Sequence, residues 1–304
     1  MSVVDKRSEL VFLYDIKDAN PNGDPLDANK PRIDEETGIN LVTDVRLKRT
    51  IRDYFFEYKG YNGEDNKDIF VREIGADDGT IQDGKMRAKD FKEDPEKVLE
   101  SCIDVRLFGG VIPLSGDSIT YTGPVQFQMG RSLHPVELKY IKGTGAFASG
   151  SGKSKKTFRE EYVVPYSLIG FYGIVNENAA KETNLSEDDV ELLIEGMWKG
   201  TKNLITRSKM GQTPRLLLKV NYSEENFFIG ELKEYINLAT DKREEEIRDV
   251  SDYKLDITAL VDILEINKDK VDSIDYLVNP RIKFINDGDD VELEDLDKFT
   301  KIKL

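Results

Sequence analysis

Residues 9–16 (ELVFLYDI) are a run of apolar, β-branched and aromatic side chains of strand length, and they predict a strand of mixed burial. The polar stretch that follows, DANPNGDPLDANKPRIDEETGIN over 18–40, carries Asn-Pro, Asn-Gly and Asp-Pro steps that punctuate structure rather than propagate it. It is long for a connection inside a compact domain, a length usual in functional or disordered loops. A helix then starts at Thr43, a good N-cap, with Asp44 suited to the first turn. Leu47, Ile51, Tyr54, Phe55 and Tyr58 recur at three- and four-residue steps and mark the face that packs on a sheet. Arg46, Arg49 and Arg52 recur every third residue on a neighbouring face, with Lys48 alongside. Such a face is either solvated or made for a polyanion.

Further on the pattern is less regular. Residues 59–95 are polar and glycine-rich and read as an excursion from the core. The stretch 94–110, opened by Asp94-Pro95 and closed by Gly109-Gly110, predicts one helix. Residues 118–127 (SITYTGPVQF) alternate like a strand, and 162–175 (YVVPYSLIGFYGIV) predict a strand or strand pair too short for a membrane span. Between them, TGAFASGSGKSKK over 144–156 predicts a flexible, basic, projecting loop. A phosphate-binding P-loop would need glycine where Phe147 stands, and helix where TFREEYVVPY reads as strand. Ser186 and Asp189 have capping-box spacing at the start of a helix whose apolar face is Val190, Leu193, Ile194, Met197 and Trp198. Residues 215–222 (RLLLKVNY) predict another strand.

The order strand, helix, strand-rich middle, strand, helix, strand is that of a ferredoxin-like β-α-β-β-α-β unit with a large insertion, an α+β fold shared by RNA-recognition modules. The acidic remainder, 223–304, holds apolar residues in 256–267 and 273–285 that would dock it on that unit.

Charge changes the picture. The chain of 304 residues has a net charge of −15, which taken alone argues against nucleic acid. The charge is segregated, however: Lys199, Lys202, Arg207, Lys209, Arg215 and Lys219 follow one another without an acidic residue between them. Arg131, Lys139, Lys142, Lys153, Lys155, Lys156 and Arg159 face only Glu137 and Glu160 within 129–160. A local basic surface binds phosphates on an acidic protein. The single cysteine, Cys102, excludes an intrachain disulfide framework and a multi-cysteine zinc site. One histidine, His134, leaves no basis for Ser-His-Asp catalysis, and no cofactor or metal is expected. With no secretory pattern at residue 1, a cytoplasmic location is expected.

With these pieces in place the chain resembles the Cas-seven family, backbone subunits of type I CRISPR surveillance complexes (Cascade) within the RAMP superfamily, closest to the subtype I-B and I-C members. The likeness is carried by VFLYDIKDANPNGDP at 11–25, PRID at 31–34 with Thr37-Gly38, LVTDVRLKRTIRDY at 41–54, DVRLFGG at 104–110, TGPVQFQMGRSLHPV at 122–136 and VPYSLIGFYGIVN at 164–176. It implies a hand-shaped protein. A modified RNA-recognition palm would comprise 1–56, 124–136 and 162–222. A finger-like helical insertion would span 57–123 and a thumb-like loop 137–161, with the acidic 223–304 packed on the palm. It further implies copies polymerised as a helical filament along CRISPR RNA, beside other Cascade subunits. Each copy would hold the guide backbone while spacer bases pair with the target DNA strand.

Guide-independent holding requires contacts to phosphate and ribose, since these carry no sequence information. Thr43, Arg46, Lys48, Arg49 and Arg52 suit phosphates, Arg131, Lys153, Lys155, Lys156, Arg207 and Lys209 extend the track, and Met129 and Phe147 would support displaced bases. Related subunits that target RNA cut it with a loop aspartate and a metal. Asp24, Asp27, Asp34, Glu35 and Glu36 therefore keep a metal-dependent endoribonuclease open as the alternative, beside a monomeric RNA-binding or RNA-processing protein. Asp and Asn in such a loop more often make turns.

Overall fold

The computed structural model describes the backbone of residues 2–76, 79–148 and 156–304, and their side chains outside 144–159. Strand β1 (Ser8–Ala19) leads into a loop in which β2 (Gly23–Asp24) pairs with β3 (Lys30–Pro31). After β4 (Ile39–Val42) comes helix α1 (Asp44–Tyr58). Helices α2 (Gly84–Asp90), α3 (Pro95–Ser101) and α4 (Ile103–Phe108) precede a hairpin of β5 (Gly109–Leu114) and β6 (Asp117–Thr122). Then follow β7 (Val125–Phe127), β8 (Gly130–Pro135), β9 (Lys139–Ala148) and the long β10 (Lys156–Val175). Helix α5 (Glu177–Thr183) and helix α6 (Glu187–Glu195), continued by a π-turn at Gly196–Gly200, lead to β11 (Thr213–Tyr222). The C-terminal part contributes β12 (Asn237–Ala239), β13 (Lys254–Asp256), α7 (Thr258–Ile266), β14 (Val271–Val278), β15 (Phe284–Asn286), β16 (Asp289–Val291) and β17 (Phe299–Lys301).

The main sheet runs β17-β14-β11-β1-β10-β8-β4, with β7 and β9 also paired to β10. Its four inner strands, β11-β1-β10-β8, are antiparallel throughout, and the helices α1 and α6 connect them. β1 lies at the centre and is buried on both sides. Leu10, Phe12, Tyr14 and Ile16 point into a core with Leu47, Ile51 and Phe55 of α1 and Val190, Leu193 and Ile194 of α6. Val11 and Leu13 point the other way, into a second core with Tyr253, Leu255, Leu260 and Phe284 of the C-terminal part. Two-sided burial explains why residues 9–16 read as a nearly continuous apolar run rather than an alternating one. It also means that the C-terminal part covers the sheet face opposite the helices.

Three expectations are corrected. The helix expected over 94–110 breaks at Cys102, whose extended backbone (φ −100°, ψ 97°) separates α3 from α4. The break lets Cys102 bridge to Asp68, and Gly109 ends α4 with a φ of 69° that L side chains rarely adopt. Residues 118–127 form two strands, parted at Gly123-Pro124, instead of one. Residues 144–148 and 156 belong to β9 and β10, which pair through Phe158↔Thr144 and Tyr162↔Tyr140, so the two flanks of the expected projecting loop are strand, while 149–155 lie outside the described residues. The stretch 57–123 has a small core of its own around Phe70, Val98, Cys102, Val105 and Ile112.

His134 is 1% exposed and links β8 to β10. The Leu168 N–H donates to Nε2 (3.2 Å), which leaves Nδ1 to carry the proton and donate to the Pro135 carbonyl (2.9 Å). Burial lowers its pKa to about 4 despite the carbonyl. Burial also raises Glu195, but Lys59, Lys199 and Tyr54 together hold it at about 2. The unfolded chain thus binds a proton at the histidine between its ordinary 6.5 and about 4 while the folded chain does not, so stability falls as pH drops through that window. The loss expected from His134 is about 3 kcal/mol, with Glu195 adding to it between 4.5 and about 2. Urea titrations at stepped pH check this, and His134→Gln is expected to flatten the upper part of the profile.

Candidate nucleic-acid interface

Val42, the last residue of β4, hands directly to Thr43, the N-cap of α1. Thr43 Oγ1 accepts the Arg46 N–H (3.2 Å), and Asn22 Oδ1 accepts both the Thr43 N–H (2.9 Å) and its hydroxyl (3.0 Å). The loop after β1 therefore fixes the positive end of the helix. Asn20 performs the matching task for the segment before β11: its N–H donates to the Ser208 carbonyl (2.8 Å), and its own carbonyl accepts from Lys209 Nζ (3.2 Å). The punctuated stretch 18–40 is thus a clasp. It joins two segments far apart in sequence, and Arg46 and Lys209 come together where it closes.

These two cations differ from the other basic residues expected at the site whose side chains are described. Arg46 NH2 donates to Thr50 Oγ1 (3.0 Å), its Nε is buried without a partner, and among the described residues no carboxylate lies within ion-pair distance. Asp53, the acid that attracts it from further away, is bound to Arg49 (2.7 Å). Burial holds the Arg46 guanidinium below its ordinary pKa, and burial followed by the charge of Arg46 does the same to Lys209. Two half-buried cations that repel one another at a capped helix start are an arrangement that a bound anion would relieve.

The rest of the arginine face is engaged elsewhere. Lys48 pairs with Asp44 (3.1 Å). Arg49 sits between Asp53 and Glu73 (3.9 Å). Arg52 lies over the Phe108 ring and pairs with Asp104 (2.9 Å), whose side chain is fully buried. Asp104 also accepts the Phe70 (2.7 Å) and Val71 (3.1 Å) N–H groups, so Arg52 ties α1 to the inserted region, and its expected place on a free basic face is corrected. Arg131 pairs with Asp34 (3.2 Å) and Arg207 with Glu161 (3.3 Å), both on the surface, where an anion can displace a weak partner. Met129 is exposed beside Gly130, the register partner of Val42, and Val45 and Met210 are exposed next to Arg46 and Lys209. The apolar side chains therefore flank the cations. Lys153 and Lys155 lie outside the described residues, as do the side chains of Phe147 and Lys156, which belong to β9 and β10.

Asn20 and Asn22 were not singled out from the sequence. The only signal was the Asn-Pro-Asn-Gly step, which names a turn but not what the turn holds. Three of the loop carboxylates have structural partners: Asp24 holds Arg32 (2.9 Å), Asp27 holds Lys30 (2.8 Å), and Asp34 accepts the Glu36 N–H (3.2 Å) besides pairing with Arg131. No cluster of three metal-ligating side chains occurs among the described residues. Among those residues no helix is long and apolar enough to cross a membrane.

The family model described as CRISPR-associated protein Cas7 matches residues 6–258. The chain belongs to the Cas7 family. The match takes in the clasp, α1 and the Lys209 segment alike. A CRISPR-associated protein Cas7 from Haloferax volcanii is 36% identical over 307 aligned positions, covering 91% of this chain and 88% of that protein. In fold, the chain is similar to one in a CRISPR RNA-guided surveillance complex described as pre-nicking, with a TM-score of 0.55, 11% identity, and coverage of 92% of this chain and 96% of that one. It is similar as well to a chain in a further CRISPR RNA-guided surveillance complex, with a TM-score of 0.52, 12% identity and coverage of 90% and 88%. The fold of this chain is α+β, as its sheets and helices show.

Proposed function

We propose that this chain is a non-catalytic backbone subunit of a CRISPR surveillance complex. In this reading it polymerises along CRISPR RNA, grips the guide by its phosphates without reading sequence, and leaves the spacer bases to pair with target DNA. Membership of the Cas7 family supports the assignment. The observation that carries the mechanism is the pair Arg46 and Lys209, brought to one capped helix start without a carboxylate of their own. The palm is the β11-β1-β10-β8 unit with α1 and α6, read as a ferredoxin-like, RNA-recognition-like fold. Its sheet is covered on both faces, so the RNA runs past the start of α1 instead of across the strands. Residues 57–123 serve as the finger, residues 137–161, which hold β9 and the first part of β10, as the thumb, and other subunits of the complex bind alongside.

Backbone recognition predicts equal affinity for RNAs of equal length and permuted sequence, within about threefold, with a steep fall as salt rises. Filter binding across a salt series checks this; a strong preference for one sequence would overturn it. The loop acids act in ion pairs and turns, so incubation of the assembled complex with complementary RNA and Mg²⁺ is expected to leave the RNA intact. Regularly spaced cuts that disappear in Asp34→Ala would instead assign the chain as a metal-dependent nuclease.

A further inference from the structure

On the helix side of the sheet, α1 and α6 stop short of its β14–β17 end. A groove of about 640 Å³ runs there between α6 and those strands. Its floor is apolar, formed by Val190, Ile194 and Ile302. Its rim carries Glu187, Asp188 and Glu191, all exposed and, among the described residues, all without a cation partner. Favourable contact with the α6 dipole accounts for Glu187 and Asp188 in the first turn but not for Glu191 in the next. The strand at the rim, β17, pairs only with β14, so its outer edge is free among the described residues. Lys219 and Lys303 are the cations that line the groove, against Glu187, Asp188, Glu191, Glu195 and Asp275, which leaves it acidic in sum.

We propose that this groove docks an amphipathic helix of a partner protein, with an apolar stripe for the floor and lysines or arginines for the rim. The charge of the rim selects the occupant: three free carboxylates repel a nucleic-acid backbone and attract a basic protein segment. The groove is also remote from the anion site. Glu195, where α6 ends, is joined to Lys59 at the far end of α1 (2.8 Å), whereas Arg46 stands in its first turn. One rigid helix, roughly 20 Å long between those residues, therefore separates an RNA-holding end from a protein-holding end. Such a division gives a purpose to the segregated charge of an acidic protein, and it stands independently of the RNA reading.

The probe is a fluorescein-labelled leucine-lysine amphipathic helix, titrated into the full chain and followed by anisotropy. Micromolar binding is expected, weakened about tenfold by E187Q/D188N/E191Q and by T300W, which fills the groove from the exposed strand. The variant E244Q/E245Q/E246Q, which removes equal charge from an exposed turn elsewhere, is expected to bind as wild type does. Equal binding of a scrambled peptide of the same composition, or equal loss in the control variant, would overturn the proposal. So would dimers of the free chain that T300W dissolves, since the groove would then belong to a second copy. RNA binding by the same variants is expected to be unchanged, and a loss there with peptide binding intact would count against the RNA reading alone.

Discussion

Replacing both cations of the proposed anion site, R46Q with K209Q, is expected to lower RNA affinity at least about a hundredfold near physiological salt, because each charge-assisted contact contributes roughly 1.5–3 kcal/mol. The slope of log affinity against log salt is expected to fall by about 2, one for each phosphate released. Stability is expected to move the opposite way. Both groups are held below their ordinary pKa by burial, and Lys209 also by the charge of Arg46, so folding works against these charges. Removing them should leave the melting temperature unchanged or raise it. A gain or tie in stability with a loss of binding marks residues kept for function. A structural pair would lose both together. Parallel thermal melts and filter binding distinguish the two cases.

Asp104→Ala is expected to be the most destabilising single change where α4 meets α1, by about 3–5 kcal/mol, since removing one partner leaves the other charge buried and unpaired. Arg52 would lose its carboxylate, and the Phe70 and Val71 N–H groups would lose their acceptor in the same step. Urea denaturation measures the loss. Arg52→Met alone should cost less, and in the double variant D104L/R52M the two effects should fall well short of adding, since residues in one network couple. RNA affinity per folded molecule should change little in Arg52→Met, which separates this arginine from Arg46, its neighbour on the same helical stripe.

That contrast shows what the chain's sequence discloses and what it withholds. Periodicity places α1, its Thr43 cap and its buried face, because these depend on neighbours within a few residues. The capping box at Ser186 and Asp189 is legible for the same reason. Of the inner strands, β1, β10 and β11 fall on 9–16, 162–175 and 215–222, which the pattern reads as strands, whereas β8 carries no comparable signal and is defined by its pairing with β10 and β4. The break at Cys102 was not legible: it exists to satisfy Asp68 and to aim Asp104 at Arg52, contacts that only the folded inserted region creates. Equally hidden was which arginine is free. Arg46, Arg49 and Arg52 share one spacing, and only the location of Asp53, Glu73 and Asp104 separates them. Lys209 was found through composition, as one of a basic run, but its place beside Arg46 depends on Asn20, a residue whose local signal was only that of a turn.

The most direct test of the central claim is the stoichiometry of the purified chain on CRISPR RNAs of increasing spacer length, measured by size-exclusion chromatography with light scattering. A backbone subunit gives complexes whose number of copies rises in regular steps with RNA length, independently of sequence, and R46Q/K209Q abolishes the steps. One copy per RNA at every length would contradict the account and assign the chain as a monomeric RNA-binding protein.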